Sequence, residues 1–459
     1  MMGQFVPDVK CVLGESVPCQ DAWRRGFEMA LTQRVIDLGA TGFTSGDERA
    51  EWSASMEILS GGKNTILWVN DGSGGEGDPK FFPSIMVRIP AMRIKDLLGT
   101  GSNENLHPAF ICNSKVNPFI HVGKYQAASI YSNSKHIGVS LYGVDVMGGS
   151  SSYTSLVGAQ AMGSHPTYDT ALQYCANGGT GFHLVTNAEW AAIALLCKNL
   201  LMFQPKGNNY YGRDFGDPAT PEYYGVPAYM YDSKVARVGA GTGLISWAHD
   251  GTPWGVFDLN GNVTEWVAGL RQVAGEVQVI EDNDAANYLF GDSDKDQGRE
   301  SALWKAFDAA GSLVTPECTI ASDGTVTDTE AGATLKLQPG GVSGAQAVRL
   351  DLAVTNRTTG SVDCPFGDIA VDGVNVTSLP EVMVNLGLAP PAGGQSAAHG
   401  ADRFYMRNDA TGTYAETLAR RGGHWDFTAS AGVFSLALNG YRSSLSHAYG
   451  ARPAFIGAL

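Results

Sequence analysis

The chain has 459 residues, with 31 basic and 46 acidic side chains and a formal net charge of −15. This acidic balance argues against a nucleic-acid binder held by phosphate contacts, because such a surface needs clustered lysine and arginine. Hydrophobic residues make up 44% of the chain and charged residues 17%, so the protein can fill a large core and is not globally disordered. The 58 glycines predict many turns and long loops.

Neither an export signal nor a membrane span is visible in the sequence. Residues 1–10 lack the basic and apolar regions of a signal peptide. The longest apolar run, residues 190–197, is far shorter than the roughly 18 residues of a membrane-spanning helix. Seven cysteines occur without a C-x-x-C pair, which indicates free thiols in a reducing compartment. We therefore predict cytoplasmic synthesis without membrane insertion.

Composition divides the chain into four parts. Residues 1–82 are predicted to be a separate amino-terminal segment for attachment or assembly. Residues 83–270, with short strands and long polar loops, form the first part of the core. Residues 271–400 shift to Thr, Val, Ala, Asp and Gly and predict a strand-rich insertion. Residues 401–459 return to glycine-rich and aromatic loops and complete the core, so that the fold class is α+β.

Local patterns predict individual elements within these parts. Residues 21–38 are amphipathic, and residues 65–69 resemble a short strand. Two main helices are predicted, over 168–176 and 187–201, because each follows a capping residue and carries apolar residues three and four apart. Alternating apolar and polar residues over 348–354 predict a half-exposed strand.

The histidines and cysteines form no recognised metal or nucleophile motif. The sequence contains no H-E-x-x-H, no His-x-His and no nucleophile-elbow G-x-S-x-G. Asp258, Asn260, Asn262 and Glu265 are oxygen ligands that suit a hard cation, but a structural turn before a buried Glu265-Trp266 pair is the favoured interpretation. We predict no catalytic residue, no metal and no cofactor.

Several segments together point to one fold. In order they are 119–125 (F-I-H-V-G-K-Y), 181–190 (G-F-H-L-V-T-N-A-E-W), 255–267 (G-V-F-D-L-N-G-N-V-T-E-W-V), 421–425 (R-G-G-H-W), 441–443 (Y-R-S) and 450–453 (G-A-R-P). Their order and spacing resemble the formylglycine-generating-enzyme-like (sulfatase-modifying factor) branch of the C-type lectin fold. The resemblance covers roughly residues 110–270 and 415–457 and implies a loop-rich fold with short antiparallel strands.

The departures from that family argue against its chemistry. The formylglycine enzymes hold copper with a pair of cysteines just after the R-G-G motif, whereas residues 422–459 here contain no cysteine. A histidine triad like that of the iron-dependent relatives is also missing. The resemblance therefore implies the fold without the enzyme activity.

The residue alphabet at the carboxy-terminal end is restricted. Residues 420–459 contain no Lys, Glu, Gln or Met, and their one Trp is Trp425 in the R-G-G-H-W motif. Codons of the form A-A-pyrimidine, randomised at their adenines, encode fifteen residue types and exclude these five. The segment therefore resembles the variable region of a diversity-generating retroelement target protein, in which a reverse transcriptase copies a template with adenine-specific errors into the gene.

The resemblance implies a division between varied and constant positions. The varied, ligand-binding positions would be His424, Asp426, Phe427, Ala429, Ser430, Ala437, Asn439, Gly440, Tyr441, Ser443, Leu445, Ser446, His447, Ala448 and Tyr449. The constant frame would be Gly422, Gly423, Trp425, Gly432, Val433, Phe434, Leu436, Leu438, Arg442, Gly450, Arg452 and Pro453. Phe427, Tyr441 and Tyr449 would be the wide contact anchors, as aromatic residues are in antibody binding sites.

These features predict a non-enzymatic, sequence-variable binding protein of a bacteriophage or prophage. Its partner would be a protein or glycan receptor on a bacterial surface, and its location the phage tail tip; a cytoplasmic or bacterial surface protein is the nearby alternative. Two other classes stay open, a divergent enzyme on the same fold and an invariant structural virion protein. The sequence leaves the oligomeric state undetermined, a homo-oligomer included.

Overall fold

The structure is a computed structural model. It describes residues 17–72, 79–99, 102–146, 153–154, 161–162, 166–218, 224–289, 291–292, 294–340, 348–352, 359–390, 399 and 401–457. The described residues mix helices with many strands and long loops, which confirms the predicted α+β class.

Six α-helices lie in the described part of the chain. They are α1 Val17–Leu38, α2 Gly46–Ser60, α3 Ile94–Leu98, α4 Tyr168–Ala176, α5 Asn187–Leu195 and α6 Glu381–Asn385. Short 3-10 turns span Gly39–Thr41, Pro108–Phe110, Ile245–Trp247, Asp284–Asn287, Phe366–Asp368 and Thr428–Ser430.

The strands of the described residues are numbered in chain order. The first half holds β1 Asn64–Asn70, β2 Phe81–Pro90, β3 Ile111–Cys112, β4 Lys115–Val116, β5 Phe119–Gly123, β6 Ala127–Ser132, β7 Lys135–Ser140, β8 Tyr153–Thr154, β9 Ala161–Met162, β10 Phe182–Leu184, β11 Pro227–Tyr231, β12 Lys234–Val238 and β13 Thr264–Val273. The second half holds β14 Glu276–Ile280, β15 Trp304–Phe307, β16 Leu313–Val314, β17 Cys318–Ile320, β18 Val326–Asp328, β19 Lys336–Pro339, β20 Val348–Asp351, β21 Gly360–Pro365, β22 Ala370–Val371, β23 Arg403–Asn408, β24 Glu416–Gly422, β25 Gly432–Gly440, β26 Tyr449–Gly450 and β27 Pro453–Phe455.

Two sheets organise the molecule. A five-stranded sheet has the order β1-β2-β5-β27-β10, so the last strand lies among strands from the first half of the chain. A twelve-stranded sheet follows the path β21-β23-β25-β24-β13-β14-β19-β20-β22, with β15, β16 and β26 beside it. The carboxy-terminal strands are thus divided between both sheets, which fixes the loops that connect them.

Helix α5 begins where the sequence predicts. Thr186 caps it, because its hydroxyl accepts the Glu189 amide at 3.1 Å, while the Glu189 carboxylate accepts the Thr186 amide at 3.0 Å. The helix ends at Leu195 and continues as a π-helical turn over Leu196–Leu200, so the predicted end at residue 201 is close. Helix α4 spans the predicted residues 168–176, with Thr167 as its cap.

Two expectations about the elements are wrong. The longest helices are α1 and α2, not α4 and α5. The sequence predicts α1 only as an amphipathic stretch, because its buried face carries Arg24, Glu28 and Thr32 among the apolar side chains. The strands are also not all short and antiparallel. Strand β13 spans ten residues, and β23 runs parallel to β25.

The amino-terminal helices pack against the core that underlies the carboxy-terminal loops. Leu31 of α1 and Trp52 of α2 belong to the same buried cluster as Trp247 and Trp425. Strand β1 pairs with β2 along its whole length. Residues 17–72 therefore pack against the rest of the fold through α1, α2 and β1. The division of the chain into four parts stays a prediction.

Cysteines and apolar helices add two further facts. The six described cysteines are all free, and five of them are buried. Among the described residues, no helix combines the length and the apolar composition needed to cross a membrane.

Candidate functional site

The predicted constant frame is buried by sheet pairing and core packing. Strand β25 lies between β24 and β23, and β27 lies between β5 and β10. All twelve frame residues are buried except Arg442, whose side chain is 12% exposed. The side chains named as constant in the sequence analysis are therefore the ones that hold the backbone of this region.

Most of the predicted variable positions lie at the surface. Four of the fifteen are exposed, namely Asp426, Ala429, Ser443 and Leu445. Eight are partly exposed, namely His424, Phe427, Ser430, Asn439, Tyr441, Ser446, His447 and Tyr449. Three are buried, namely Ala437, Gly440 and Ala448.

The buried positions differ from the others in what they could contribute. A Cβ atom at Gly440 would lie 2.9 Å from the guanidinium of Arg420, itself a buried side chain. Ala437 and Ala448 are 6% and 5% exposed. Their present side chains cannot contact a partner, so replacements there would act by moving their neighbours.

Polar contacts underneath fix the two loops of the region. Arg452 donates to Glu265 at 2.9 and 2.7 Å and to the backbone oxygens of Gly123 and Phe257. Burial raises the pKa of Glu265, and Arg452 opposes that rise. Glu416 accepts hydrogen bonds from Arg442, Arg271 and Arg299. The first network fixes β27, and the second fixes the loop that begins after β25.

Most side-chain oxygens of the turn over 258–265 accept protein hydrogen bonds. Oδ2 of Asp258 accepts the Gly241 amide at 2.7 Å, whereas its buried Oδ1 has no hydrogen-bond partner among the described residues. Asn262 accepts from Asn208 at 3.0 Å and donates to Gln126 at 2.9 Å. Asn260 accepts from Asn209 at 3.1 Å. Glu265 and Trp266 are fully buried, as the structural interpretation of this turn predicts.

The first ring group is called the Trp425 cluster. It consists of the buried Trp425 and the partly exposed His424, Phe427 and His447. The ring centroids of His424 and Phe427 are 3.9 Å apart, and His447 stacks on Trp425 at 5.2 Å. Nδ1 of His424 lies 2.7 Å from Oδ1 of Asp426, and this contact lowers the pKa of Asp426. The cluster combines wide aromatic contact area with an exposed carboxylate.

A second group of side chains centres on Arg420. Its guanidinium carbon lies 3.9 Å from the ring centroid of Tyr449 and 5.0 Å from that of Trp266. One of its nitrogens donates to Oδ1 of Asn439 at 2.6 Å. Burial lowers the pKa of Arg420. Arg420 therefore holds two predicted variable positions from beneath.

Tyr441 and Ser443 lie in a third region. The Tyr441 ring meets that of Tyr414 edge-on at 5.3 Å. Ser443 and Arg442 line a cavity of about 750 Å³. Its other walls come from Asp169, Tyr288, Asp296, residues 298–301 and Ser322. The three predicted anchors, Phe427, Tyr441 and Tyr449, thus belong to three different ring groups.

Two rings that contact variable positions were not predicted from the sequence. Tyr231 stacks on His447 at 4.8 Å, and Tyr405 contacts Phe427 at 5.3 Å. Both lie outside residues 424–449, so a restricted alphabet could not identify them. For Tyr231, the signal that could have done so is the run P-A-Y-M-Y over Pro227–Tyr231, which forms a strand with two tyrosines and mostly exposed residues.

Asp402 supports the turn into β25. Its Oδ2 accepts the backbone amide of Phe434 at 2.8 Å, and its side chain is fully buried. A Cβ atom at Gly432 would lie 2.2 Å from the same carboxylate, which explains why glycine stands there. Burial raises the pKa of Asp402 to about 8, against the smaller opposing effects of the Phe434 amide and Lys198.

This raised pKa predicts a pH dependence. Between the ordinary value of 3.8 and about 8, the folded state keeps a proton that the unfolded state releases, so stability falls as pH rises through that window. Asp402→Asn keeps an acceptor for the Phe434 amide and is expected to flatten this fall. Urea unfolding of both proteins at several pH values in the window measures it. Equal slopes for the two proteins would contradict it.

The chain has only distant similarity to known proteins. No protein-family model matches the chain, and no curated protein matches it. Similar solved structures include the Major Tropism Determinant U1 variant, at 12% identity and a TM-score of 0.29, and the I1 variant, at 11% identity and a TM-score of 0.27. Each of these two matches covers 86% of this chain and 72% of the similar structure's chain. Similarity at this level does not establish a family for the chain.

Proposed function

We propose that the chain is a non-enzymatic binding protein with a C-type lectin fold of the formylglycine-generating-enzyme-like branch. A retroelement would diversify its residues 424–449, and this surface would bind a protein or glycan receptor on a bacterium for a phage or prophage. The protein would then be part of the virion, at the tail tip. Neither a metal nor a cofactor is needed for this function.

One observation carries the proposal. The residues drawn from the restricted alphabet are mostly exposed or partly exposed, while the interleaved residues assigned to the frame are buried. A surface can change its side chains without unfolding only when other residues hold the backbone. The alternation of constant and varied residues therefore has a physical basis, which a chance shortage of four residue types would not produce.

The DNA downstream of the gene gives the first test. Diversification predicts a near-copy of the codons for residues 420–457, differing only at adenines of the copy, beside a reverse-transcriptase reading frame. Such a copy would also identify each diversified codon. A downstream sequence with neither feature would contradict the retroelement part of the proposal.

Binding is tested with the labelled protein on intact cells of bacterial strains from the source of the gene. The combined variant Phe427→Ala, Tyr441→Ala and Tyr449→Ala is expected to bind at least ~100-fold more weakly to a strain that the unaltered protein binds, since truncating central aromatic contacts costs about 2 kcal/mol or more each. Thermal unfolding of the variant shows whether it is folded.

Two exposed positions provide a variant that does not touch the core. Ala429→Arg combined with Ser443→Arg adds bulk at the surface and is also expected to reduce cell binding. The matched control is Val374→Arg, because Val374 is 79% exposed and lies outside the proposed site. Failure of every strain to bind the unaltered protein, or unchanged binding by both altered proteins, would contradict the proposed site.

A further inference from the structure

A hairpin outside the predicted variable region lies directly against it. Strands β11 and β12 form this hairpin. Arg237 of β12 donates to the backbone oxygen of His447 at 2.8 Å, and Asp145 holds its guanidinium at 2.8 Å. Arg237 is fully buried, and its guanidinium carbon lies 4.1 Å from the Tyr229 ring centroid. The hairpin is therefore fixed to the backbone at position 447.

Tyr231 extends this contact to the side chain. The imidazole of His447 stacks on the Tyr231 ring at 4.8 Å with 24° between the planes, and on the Trp425 ring at 5.2 Å with 26°. Trp425 is 2% exposed, whereas Tyr231 is 49% exposed. One of the two rings belongs to the buried frame, and the other keeps about half of its surface for further contacts.

We infer that Tyr231 is a constant binding residue of the proposed site, which positions the side chain at 447 and contacts the receptor with its own exposed ring surface. This inference rests on the proposed function, because it takes residues 424–449 as the binding surface. It extends that surface to a residue that a template-copying mechanism at 424–449 would never alter.

The chemistry of a ring explains why such a residue suits a varied neighbour. A tyrosine ring is flat and has only two rotatable bonds, so little conformational entropy is lost when it packs. Its face accepts imidazole, aliphatic, amide and guanidinium groups alike through dispersion and quadrupole contacts. Position 447 can therefore change among many residue types and still be held by the same support.

A second ring of β11 lies beside the same position. The ring centroid of Tyr229 is 6.2 Å from that of His447, and the Tyr229 side chain is partly exposed. Aromatic residues are among the side chains enriched at protein interfaces. The surface next to position 447 is thus suited to a receptor that offers apolar contact area, and its composition does not depend on the variable region.

Three single variants separate the positioning role from a general structural one. Tyr231→Ala removes the ring, and Tyr231→Phe keeps it. Met230→Ala is the matched control, because Met230 is exposed to the same degree and precedes Tyr231 in β11, where successive side chains point to opposite faces. All three are purified as the full chain.

The first measurement is the NMR spectrum of protein labelled at histidine. Stacked rings shift the imidazole protons of His447 upfield, so Tyr231→Ala is expected to move these signals downfield. Tyr231→Phe and Met230→Ala are expected to leave them near their original positions. Unchanged His447 signals in Tyr231→Ala would overturn the positioning role.

The second measurement is binding to the bacterial strain recognised by the unaltered protein. Tyr231→Ala is expected to weaken binding about tenfold, with Tyr231→Phe restoring most of it. If Tyr231→Ala binds normally while the combined variant of Phe427, Tyr441 and Tyr449 does not, the inference about Tyr231 fails and the proposed site stands. If the combined variant binds normally, the proposed site fails, whatever Tyr231→Ala does.

Discussion

Glu416→Ala is expected to lower the free energy of unfolding by about 3–5 kcal/mol, as removal of one partner from a buried ion pair does. Glu416 is 1% exposed and accepts from Arg271 at 3.0 Å, from Arg299 at 3.0 Å and from Arg442 at 2.8 Å. Its loss would leave Arg271, which is 2% exposed, as a buried cation without this carboxylate. Denaturant unfolding measures the change.

A matched control is provided by an exposed ion pair in the same sheet. Asp363 pairs with Arg403, and its side chain is 50% exposed. Asp363→Ala is expected to change stability by less than ~1 kcal/mol, because solvent screens exposed pairs. Similar losses for Glu416→Ala and Asp363→Ala would contradict the central role given to Glu416.

The same carboxylate predicts how acid unfolds the region. Burial alone would raise the pKa of Glu416, but Arg442, Arg271 and Arg299 outweigh burial and hold it at about 2. The folded pKa lies below the ordinary value of 4.5, so this stabilisation is complete above that value and is lost as pH falls towards about 2. Glu416→Ala should therefore show a smaller loss of stability across this window.

Arg442 connects this network to function. It lies between Tyr441 and Ser443, two predicted variable positions, and donates to both Glu416 and Asp169. A partly destabilised Glu416→Ala protein is therefore expected to lose order first in the loop after β25. The frame of the proposed site is therefore stabilised by the ion pairs of Arg442 as well as by apolar packing.

Local patterns predicted the elements that are governed by local chemistry. Helix α5 begins at the predicted residue because Thr186 and Glu189 cap each other within one turn. Strand β20 appears at Val348–Asp351, within the alternating run, but three of its four residues are buried, so the predicted half-exposure is wrong. Helix α2 was missed although Ser45 caps it and Asp47 and Glu48 occupy its first turn, because its neighbours gave no clear apolar period.

Features that depend on distant contacts were not predictable in this way. Arg24 and Glu28 are charged residues of the amphipathic stretch over 21–38, and both are fully buried. Their partners, Lys124 and Tyr125, are about 100 residues away in sequence. Likewise, nothing in residues 424–449 indicates that Tyr231 contacts His447. Such pairs are determined by topology, which single-sequence patterns do not contain.

Glu28 is the second buried carboxylate whose removal is expected to lower the free energy of unfolding strongly. It is fully buried in α1 and accepts from Lys124 at 2.8 Å and from Arg24 at 3.2 Å, with Tyr125 donating to it as well. Burial lowers the pKa of Lys124 to about 8, and Glu28 opposes that effect. Glu28→Ala would leave Lys124 buried without its carboxylate partner, while Arg24 keeps its contact with Asp21 at 2.6 Å, and is expected to cost about 3–5 kcal/mol of stability.

The measurement also decides whether α1 is part of the folded core. Trypsin cleavage at Arg24, Arg25 and Arg34 reports the release of α1. Denaturant unfolding followed by tryptophan fluorescence reports the packing around the nine tryptophans together, the buried Trp247 among them. Both are expected to change together in Glu28→Ala, while Asp37→Ala, on the exposed side of the same helix, should change neither. Faster cleavage with unchanged core unfolding would instead support the separate amino-terminal segment that the sequence predicts, because a segment that folds by itself can be released without loosening the surface it covers.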